Sequence, residues 1–334
     1  MATLTELTRQ KTSLPRAEID HLQRLIGDWG ILADLCFNDL LLYVKGSNGG
    51  WIVAAQSRPA TGQTLYNADW VGEPATPAEC SILDDAFASG RRCAGTVDGD
   101  PEPTEVWAIP VSYQGRPIAV MTREWSTRTK RQPGELESNY VALFERFARM
   151  IVAGIFPFDR RQGTITAAPR AGDGVLIVDD DLRVRYASPN AMSSLHRVGI
   201  SANVIDTRLA EFGFNDAPLR SAFERREPVL EEFDQTADVT LLSYSLPIIE
   251  DGVISGGVLL LRDVTELRRR DRLLMSKDAT IREIHHRGQE QPADHLVAAA
   301  APVPAPHLAR GQGGRQRERP SDPNDRPRPR DPVA

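Results

Sequence analysis

Two adjacent histidines, His285 and His286, are the residues of this sequence best suited to chemistry. They end the segment 276–287, which reads SKDATIREIHHR and has the character of a helix. Imidazole is a good nucleophile near pH 7, and a histidine exposed on a helix can accept a phosphoryl group from ATP and release it to an aspartate. A histidine pair at a helix end can equally be a solvated surface feature. The neighbouring residues have to decide between the two interpretations.

The composition changes abruptly after Arg287. Residues 288–334 contain no Phe, Trp, Tyr, Ile, Met or Lys, and Pro, Ala, Arg, Gly and Asp dominate them. Such a segment cannot bury a hydrophobic core, so we expect a disordered tail.

Other residues suited to chemistry have simpler interpretations. His196 could ligate haem or another cofactor, but a partly exposed helix histidine explains it as well. The run from Asp179 to Asp181 could attract a cation, although a solvated hairpin turn is the simpler interpretation. The three cysteines have no C-x-x-C spacing and are odd in number, which favours reduced, buried or half-buried thiols over a zinc site or a disulfide framework; they are Cys36, Cys80 and Cys93. The five tryptophans are interpreted as core and pocket-wall residues; they are Trp29, Trp51, Trp70, Trp107 and Trp125.

Size and charge bound the class of protein. A chain of 334 residues suggests two domains. The net charge of −6, without a basic face in the folded part, argues against direct nucleic-acid binding. The longest apolar run, 252–261, is about half of what a membrane span needs, and the N-terminus lacks a signal-peptide core. We therefore expect a cytoplasmic protein without a membrane contact.

The first half of the chain predicts an antiparallel sheet between a first and a last helix. Apolar residues recur at helical spacing from Ile19 to Leu32, just after Pro15. Two hairpins and two further helices follow, because turn residues separate the strand-like runs; the strands are 40–45 with 51–56 and 106–113 with 117–125, and the helices are 78–90 and 135–155.

The second half begins after a Pro- and Gly-containing stretch, 159–172. Residues 172–199 predict a strand, an acidic turn, a second strand and a helix that starts at Ser188-Pro189-Asn190. A closing strand pair is predicted at 239–250 and 252–267. Beyond it, Leu267, Leu274 and Ile281 are spaced by seven, with Ile284 three further on, which weakly indicates a short parallel coiled coil.

These elements together resemble the PdtaS type of bacterial sensor histidine kinase. The resemblance is carried by IREIHHR at 281–287, by RDVTE at 262–266, which is similar to the D-I-T signature at the end of PAS domains, and by the GAF-like plan of the first half. It implies an α+β fold with two antiparallel-sheet sensor domains, a short coiled-coil and dimerisation helix, and a disordered tail. The implied boundaries are a GAF-like domain at 1–158, a linker at 159–171, a PAS domain at 172–266, the signalling helix with the start of the phosphoacceptor helix at 267–287, and the tail at 288–334.

The resemblance also implies roles for individual residues. His286, the histidine followed by Arg, would be the phosphoacceptor, and His285 its neighbour. Asp263 and Thr265 would tie the last strand to the coil and relay sensor motion to the output, although capping of a helix is sufficient to explain both. The intact family member would be a homodimer that uses ATP and Mg²⁺, responds to an unknown small-molecule ligand, and passes phosphate to a response regulator with an RNA-binding antiterminator output.

The family pattern breaks off after Arg287. The family box continues with VKNNLQT, whereas this chain reads GQEQPADH, and neither an Asn box nor a D-x-G-x-G nucleotide box follows. The chain itself is therefore expected to hold no cofactor and not to phosphorylate itself, because phosphoryl transfer depends on positioning phosphates and metal. The alternative function is a non-enzymatic GAF/PAS module for ligand sensing and dimerisation.

One extra base near the Arg287 codon would explain the break. When codons for GQEQPADH are read one base later, they permit Val, Lys, Asn, Asn, Leu, Gln and Thr in that order. The tail would then be an out-of-frame product. A native Pro/Ala/Arg-rich tail is the alternative.

Overall fold

The structure is a computed structural model that describes residues 4–60, 62, 64–98, 103–127, 133–159, 168–201, 203–275 and 277. His285, His286 and the predicted tail lie outside the described residues. Helices and sheets both contribute to the fold, with two antiparallel five-stranded sheets. The predicted α+β class with two sensor domains is confirmed.

The N-terminal domain has its sheet in the order β2-β1-β5-β4-β3. Its elements, in chain order, are α1 Leu4–Lys11, α2 Arg16–Gly27, α3 Trp29–Cys36, β1 Asp39–Lys45, β2 Trp51–Ser57, α4 Pro77–Ser89, β3 Cys93–Val97, β4 Thr104–Tyr113, β5 Arg116–Ser126 and α5 Glu135–Val152. Both predicted hairpins are confirmed, and α4 ends at Gly90 in the left-handed conformation, as its glycine predicts.

The second domain has its sheet in the order β7-β6-β10-β9-β8. Its elements are β6 Val175–Val178, β7 Val184–Ala187, α6 Pro189–Arg197, a 3-10 helix Leu209–Phe212, α7 Ala217–Arg225, β8 Val229–Thr236, β9 Val239–Glu250 and β10 Val253–Asp263. A further helix, α8, occupies 265–275. The predicted start of α6 is confirmed, because the Ser188 hydroxyl accepts the backbone N–H of Ala191.

Three predictions were wrong. The single helix at Ile19–Leu32 is two helices that meet at Asp28, flanked by Gly27 and Gly30, which are poor helix formers. The edge strands β3 and β8 were missed, because β3 is short and half-exposed and β8 carries the charges that protect sheet edges. Trp70 is 41% exposed and not a core residue, since it lies in the irregular segment between β2 and α4.

Helix α5 is shared by the two domains. It packs on α3 and β4 of the N-terminal domain and also on β9 of the second domain. Its residues Phe144 and Phe147 belong to the same buried cluster as Tyr244, Leu246 and Ile248 of β9. The other face of the second sheet packs on α6 and α7 in a cluster of its own. The two domains therefore share one continuous core through α5.

Two serines on β9 form a matched pair for a stability test. Ser243 and Ser245 are fully buried and alternate with Tyr244, so both face α7. The Ser243 hydroxyl donates to the Glu231 carbonyl oxygen at 3.1 Å, whereas the Ser245 hydroxyl has no partner among the described residues.

We expect Ser243→Ala to lower the free energy of unfolding by about 1 kcal/mol, because a hydrogen bond is lost. Ser245→Ala should leave it unchanged or raise it by up to about 1 kcal/mol, since an unsatisfied buried hydroxyl is removed. Urea unfolding of both variants measures the difference. Equal losses of stability would contradict the assignment of the two hydroxyls.

Candidate functional site

The end of β10 brings the two predicted relay residues together. Thr265 is the first residue of α8, and its backbone N–H donates to Asp263 Oδ1 at 3.0 Å. The other carboxylate oxygen, Oδ2, accepts Nη1 of Arg197 from the end of α6 at 2.8 Å. Burial alone would raise the pKa of Asp263, but the hydrogen bonds from Thr265 and the ion pair with Arg197 hold it below its ordinary value. The carboxylate is thus charged and joins α6 to α8.

Thr265 fastens the start of α8 to the neighbouring strand. Its hydroxyl accepts the backbone N–H of Thr240 on β9 at 3.0 Å and lies 3.5 Å from the Thr240 carbonyl oxygen. The Thr240 hydroxyl in turn donates to Asp234 on β8 at 2.6 Å. Asp263 and Thr265 thus connect the first turn of α8 to α6 and β9, and Thr240 extends this connection to β8. The sequence did not predict the role of Arg197, because its local motif SLHR gives no sign of an ion pair with Asp263, 66 positions away.

A second cluster lies on the face of the N-terminal sheet that α4 covers. Glu124 of β5 is 1% exposed and stands opposite Asp39 of β1 in the strand register. Its Oε1 accepts the Thr122 hydroxyl at 2.5 Å, and its Oε2 accepts the Tyr66 hydroxyl. Tyr43 of β1 lies on the same face and donates its hydroxyl to Glu79 at 3.3 Å. We call Asp39, Tyr43, Tyr66, Glu79 and Glu124 the acidic cluster.

Burial shifts the pKa of two carboxyl groups of the acidic cluster, those of Glu124 and Asp39. It raises the pKa of Glu124 to about 7, although hydrogen bonds from Thr122 and Tyr66 oppose the shift. Burial also raises the pKa of Asp39, whose carboxylate accepts the Thr64 hydroxyl at 2.8 Å and the backbone N–H of Leu65. The face can therefore hold or release a proton near neutral pH. The sequence signal for it was an acidic residue within each of two apolar strands, which the sequence analysis did not use.

The remaining candidates have structural explanations. His196 is exposed on α6. Asp179 closes a turn, since its Oδ1 accepts the backbone N–H groups of Asp181 and Arg183. Cys36 is buried, Cys80 and Cys93 are half-buried, and all three are free thiols, as predicted. Among the described residues, no three His, Cys, Asp or Glu side chains are grouped as metal ligands.

Comparisons with known proteins identify the family. The family model described as "Histidine kinase PdtaS, GAF domain" matches residues 4–143. The sensor histidine kinase PdtaS of Mycolicibacterium smegmatis is 35% identical over 305 residues, which cover 86% of this chain and 60% of the relative. A solved structure described as the sensor region of a sensor histidine kinase is 31% identical with a TM-score of 0.68, covering 80% of this chain and 100% of the other. The chain belongs to the sensor histidine kinases, and residues 4–143 match the GAF domain of the PdtaS type.

A second curated relative shows the same partial match. The PdtaS protein of Mycobacterium tuberculosis is 36% identical over 309 residues, or 86% of this chain and 61% of the relative. The chain thus spans about 60% of the length of the curated relatives it matches. In the part of the chain that the structure describes, no helix is long and apolar enough to cross a membrane.

Titration of Glu124 should be visible in the stability of the protein. Because folding raises its pKa from 4.5 to about 7, the folded state binds more protons between these values, and the stability contributed by this group falls as pH rises through that window. The wild type should therefore lose stability between pH 5 and pH 8 through Glu124, whereas Glu124→Gln should not. We expect the free energy of unfolding at pH 8, measured relative to its value at pH 5, to be about 1–3 kcal/mol higher in the variant than in the wild type.

Urea unfolding at several pH values measures this difference. Burial lowers the pKa of His21 to about 4, so the stability contributed by His21 rises with pH up to about 6.5, opposite to the effect of Glu124. Because His21 is present in both proteins, the difference between variant and wild type reports Glu124 alone. Glu105→Gln, at a half-buried position of β4, is the control and should keep the wild-type profile. Identical pH profiles for the wild type and Glu124→Gln would show that Glu124 does not titrate in this window.

Proposed function

We propose that this chain is the sensory portion of a two-component histidine kinase that phosphorylates itself on His286 and passes the phosphate to a response regulator of the antiterminator type. The observation that carries the proposal is the match to PdtaS sensor histidine kinases over 86% of the chain. IREIHHR at 281–287 supports His286 as the acceptor, although it lies outside the described residues. ATP and Mg²⁺ would be held by a nucleotide-binding domain, for which this sequence has no Asn box and no D-x-G-x-G box.

Asp263 and Thr265 are proposed as the relay from the PAS domain to the acceptor helix. Their contacts with Arg197 and Thr240 support this role, because a movement of α6 or β9 would reach the first turn of α8 directly. The domain boundaries proposed above place this junction between the PAS domain and the signalling helix at 266/267.

Dimerisation is proposed through α8 and the dimerisation helix that the family resemblance implies. Four apolar side chains of α8 are exposed, with exposed fractions between 55% and 71%; they are Leu267, Leu273, Leu274 and Met275. Apolar side chains grouped in this way on a helix indicate a surface that packs against a partner. Leu267 and Leu274 are the two heptad positions within the described residues. A parallel homodimer would bury them against a second copy.

A chimaera tests the proposed function. Residues 1–287 would be joined in frame, directly after the HHR motif, to the corresponding C-terminal part of the Mycolicibacterium smegmatis relative. We expect acid-labile label from ATP that disappears in His286→Gln and persists in the matched control His285→Gln.

The second candidate function is a non-enzymatic sensing and dimerisation module, favoured by the absence of nucleotide boxes from this sequence. A folded, dimeric chimaera that takes up no label would favour the module over the kinase portion. Label that persists in His286→Gln would overturn the assignment of the acceptor.

A further inference from the structure

A β-bulge in β10 places three consecutive residues, Ser255 to Gly257, against three different elements: α5, β6 and α7. The pairing of β9 with β10 shifts between Ile254 and Gly256, so Ser255 is the extra residue. Gly256 has φ of 140°, and a Cβ there would lie 2.3 Å from the Val178 carbonyl oxygen of β6. A Cβ on Gly257 would lie 2.6 Å from the ring of Phe223 in α7. The backbone of β10 is thus held tightly against β6 and α7 at this point.

Ser255 contacts helix α5, the helix that the two domains share. Nη2 of Arg146 donates to the Ser255 carbonyl oxygen at 3.1 Å and to its Oγ at 2.6 Å. The same nitrogen lies 3.1 Å from Oε2 of Glu250, which also accepts the Ser255 hydroxyl at 2.6 Å. Arg149, one turn further along α5, donates to Oε1 of Glu250 at 2.7 Å. We call Arg146, Arg149, Glu250 and Ser255 the Glu250 clasp.

The ion pairs of the Glu250 clasp keep the Glu250 carboxylate charged. Burial alone would raise the pKa of Glu250, but the hydrogen bond from Ser255 and the two arginines lower it to about 2. The carboxylate therefore stays charged at every pH at which the protein would work. The side chains of Arg146 and Glu250 are 21% and 27% exposed, so their ion pair is less screened by water than a surface pair.

Strand β10 connects the clasp to the start of α8. From Gly257 to Asp263 every residue is paired with β9, and Asp263 is the residue that contacts both Thr265 and Arg197. Helix α5 also packs on α3 and β4 of the N-terminal domain. We propose that the Glu250 clasp transmits changes in the N-terminal domain through α5 and β10 to the first turn of α8. This inference deepens the proposed function, because it assigns the coupling between the two sensor domains and the output helix.

Coupling of this kind needs a direct measurement rather than spatial continuity alone. Hydrogen exchange of the full chain, followed by mass spectrometry, compares the wild type with Glu250→Gln, which keeps the shape of the side chain and removes its charge. We expect about tenfold faster exchange both in the β9–β10 hairpin and in α8 at 265–275, a factor that corresponds to about 1.4 kcal/mol of opening free energy.

The matched control is Arg185→Gln. Arg185 of β7 forms ion pairs with Asp179 at 2.8 Å and with Asp206 at 2.5 Å, and neither partner lies in α5, so faster exchange should stay near β6 and β7. If Glu250→Gln fails to fold, Ser255→Ala keeps the ion pairs and should give a smaller increase with the same distribution. Faster exchange that is confined to the hairpin and α5, with α8 unchanged, would overturn the proposal. Because exchange involves no phosphate transfer, its outcome is independent of whether the chimaera is phosphorylated.

Discussion

Incubated with labelled ATP and Mg²⁺, the chain is expected to incorporate no acid-labile phosphate. Phosphoryl transfer is catalysed almost entirely by positioning the phosphates and the metal, and removing such groups costs several orders of magnitude in rate. The sequence from Met1 to Ala334 offers neither an Asn box nor a D-x-G-x-G box for this purpose. An acceptor histidine alone cannot bind ATP.

The full-length relative from Mycolicibacterium smegmatis, labelled under the same conditions, is the positive control. A mixture of the chain with that relative distinguishes the ability to accept phosphate from the ability to bind ATP. Label that appears on this chain only in the mixture would come from the ATP site of the relative. Clear label on the isolated chain that is lost in His286→Gln would show that it contains a nucleotide site of an unrecognised kind.

Tyr140→Ala is expected to destabilise both sensor domains together, by about 3–5 kcal/mol. The Tyr140 ring stacks on Phe37 of the N-terminal domain with centroids 5.8 Å apart, and meets Tyr186 of β7 edge to face at 6.2 Å. Its hydroxyl donates to the Ala171 carbonyl oxygen at 3.1 Å, just before the second domain. Removal of the ring leaves a cavity where the two domains share their core.

Two probes can follow this unfolding. All five tryptophans lie between Trp29 and Trp125, so their fluorescence reports the N-terminal domain, whereas far-ultraviolet circular dichroism reports both domains. We expect the two transitions to coincide and to move to lower urea concentration together. Tyr140→Phe is the control and should lose only about 1 kcal/mol, the value of one hydrogen bond. A fluorescence transition that keeps its position while the dichroism transition splits would show that the domains are independent.

The sequence predicted the elements whose signals are local. The turn residues between β1 and β2, the glycine after α4 and Ser188-Pro189 before α6 each determine a conformation within a few residues. Edge strand β8 was missed because its charges read as a loop. The predicted single helix failed at Asp28, where Gly27 and Gly30 flank the break. Trp70 failed as a core residue because it lies in the irregular segment between β2 and α4.

The candidate sites show the same division. The RDVTE motif singles out Asp263 and Thr265, whose relay role stays a prediction. The hydrogen bond between Glu124 and Tyr66 could not be predicted, because the two residues are 58 positions apart. Ser255 lies in a strand that was predicted, but its contact with Arg146 over a separation of 109 positions was not. Polar residues inside apolar strands are the sequence signal that points to such contacts.

After Arg287 the sequence departs from the family pattern. The share of the chain outside the match to the relatives is 14%, equal in length to the segment 288–334. The shifted codons leave only Lys or Arg, and then Asn or Ser twice, at the positions where the family box has Lys, Asn and Asn. Restoring the frame would also continue an amphipathic helix beyond His286, which could pair with a second copy.

The genomic DNA around and downstream of the Arg287 codon tests the central claim most directly, because it shows whether the acceptor box of a histidine kinase begins at His286. We predict that removing one base there opens a frame that starts HHRVKNNLQ and continues through an Asn box and a D-x-G-x-G box. An early stop codon in that frame, or a frame without either box, would contradict the claim and establish the Pro-rich tail as native.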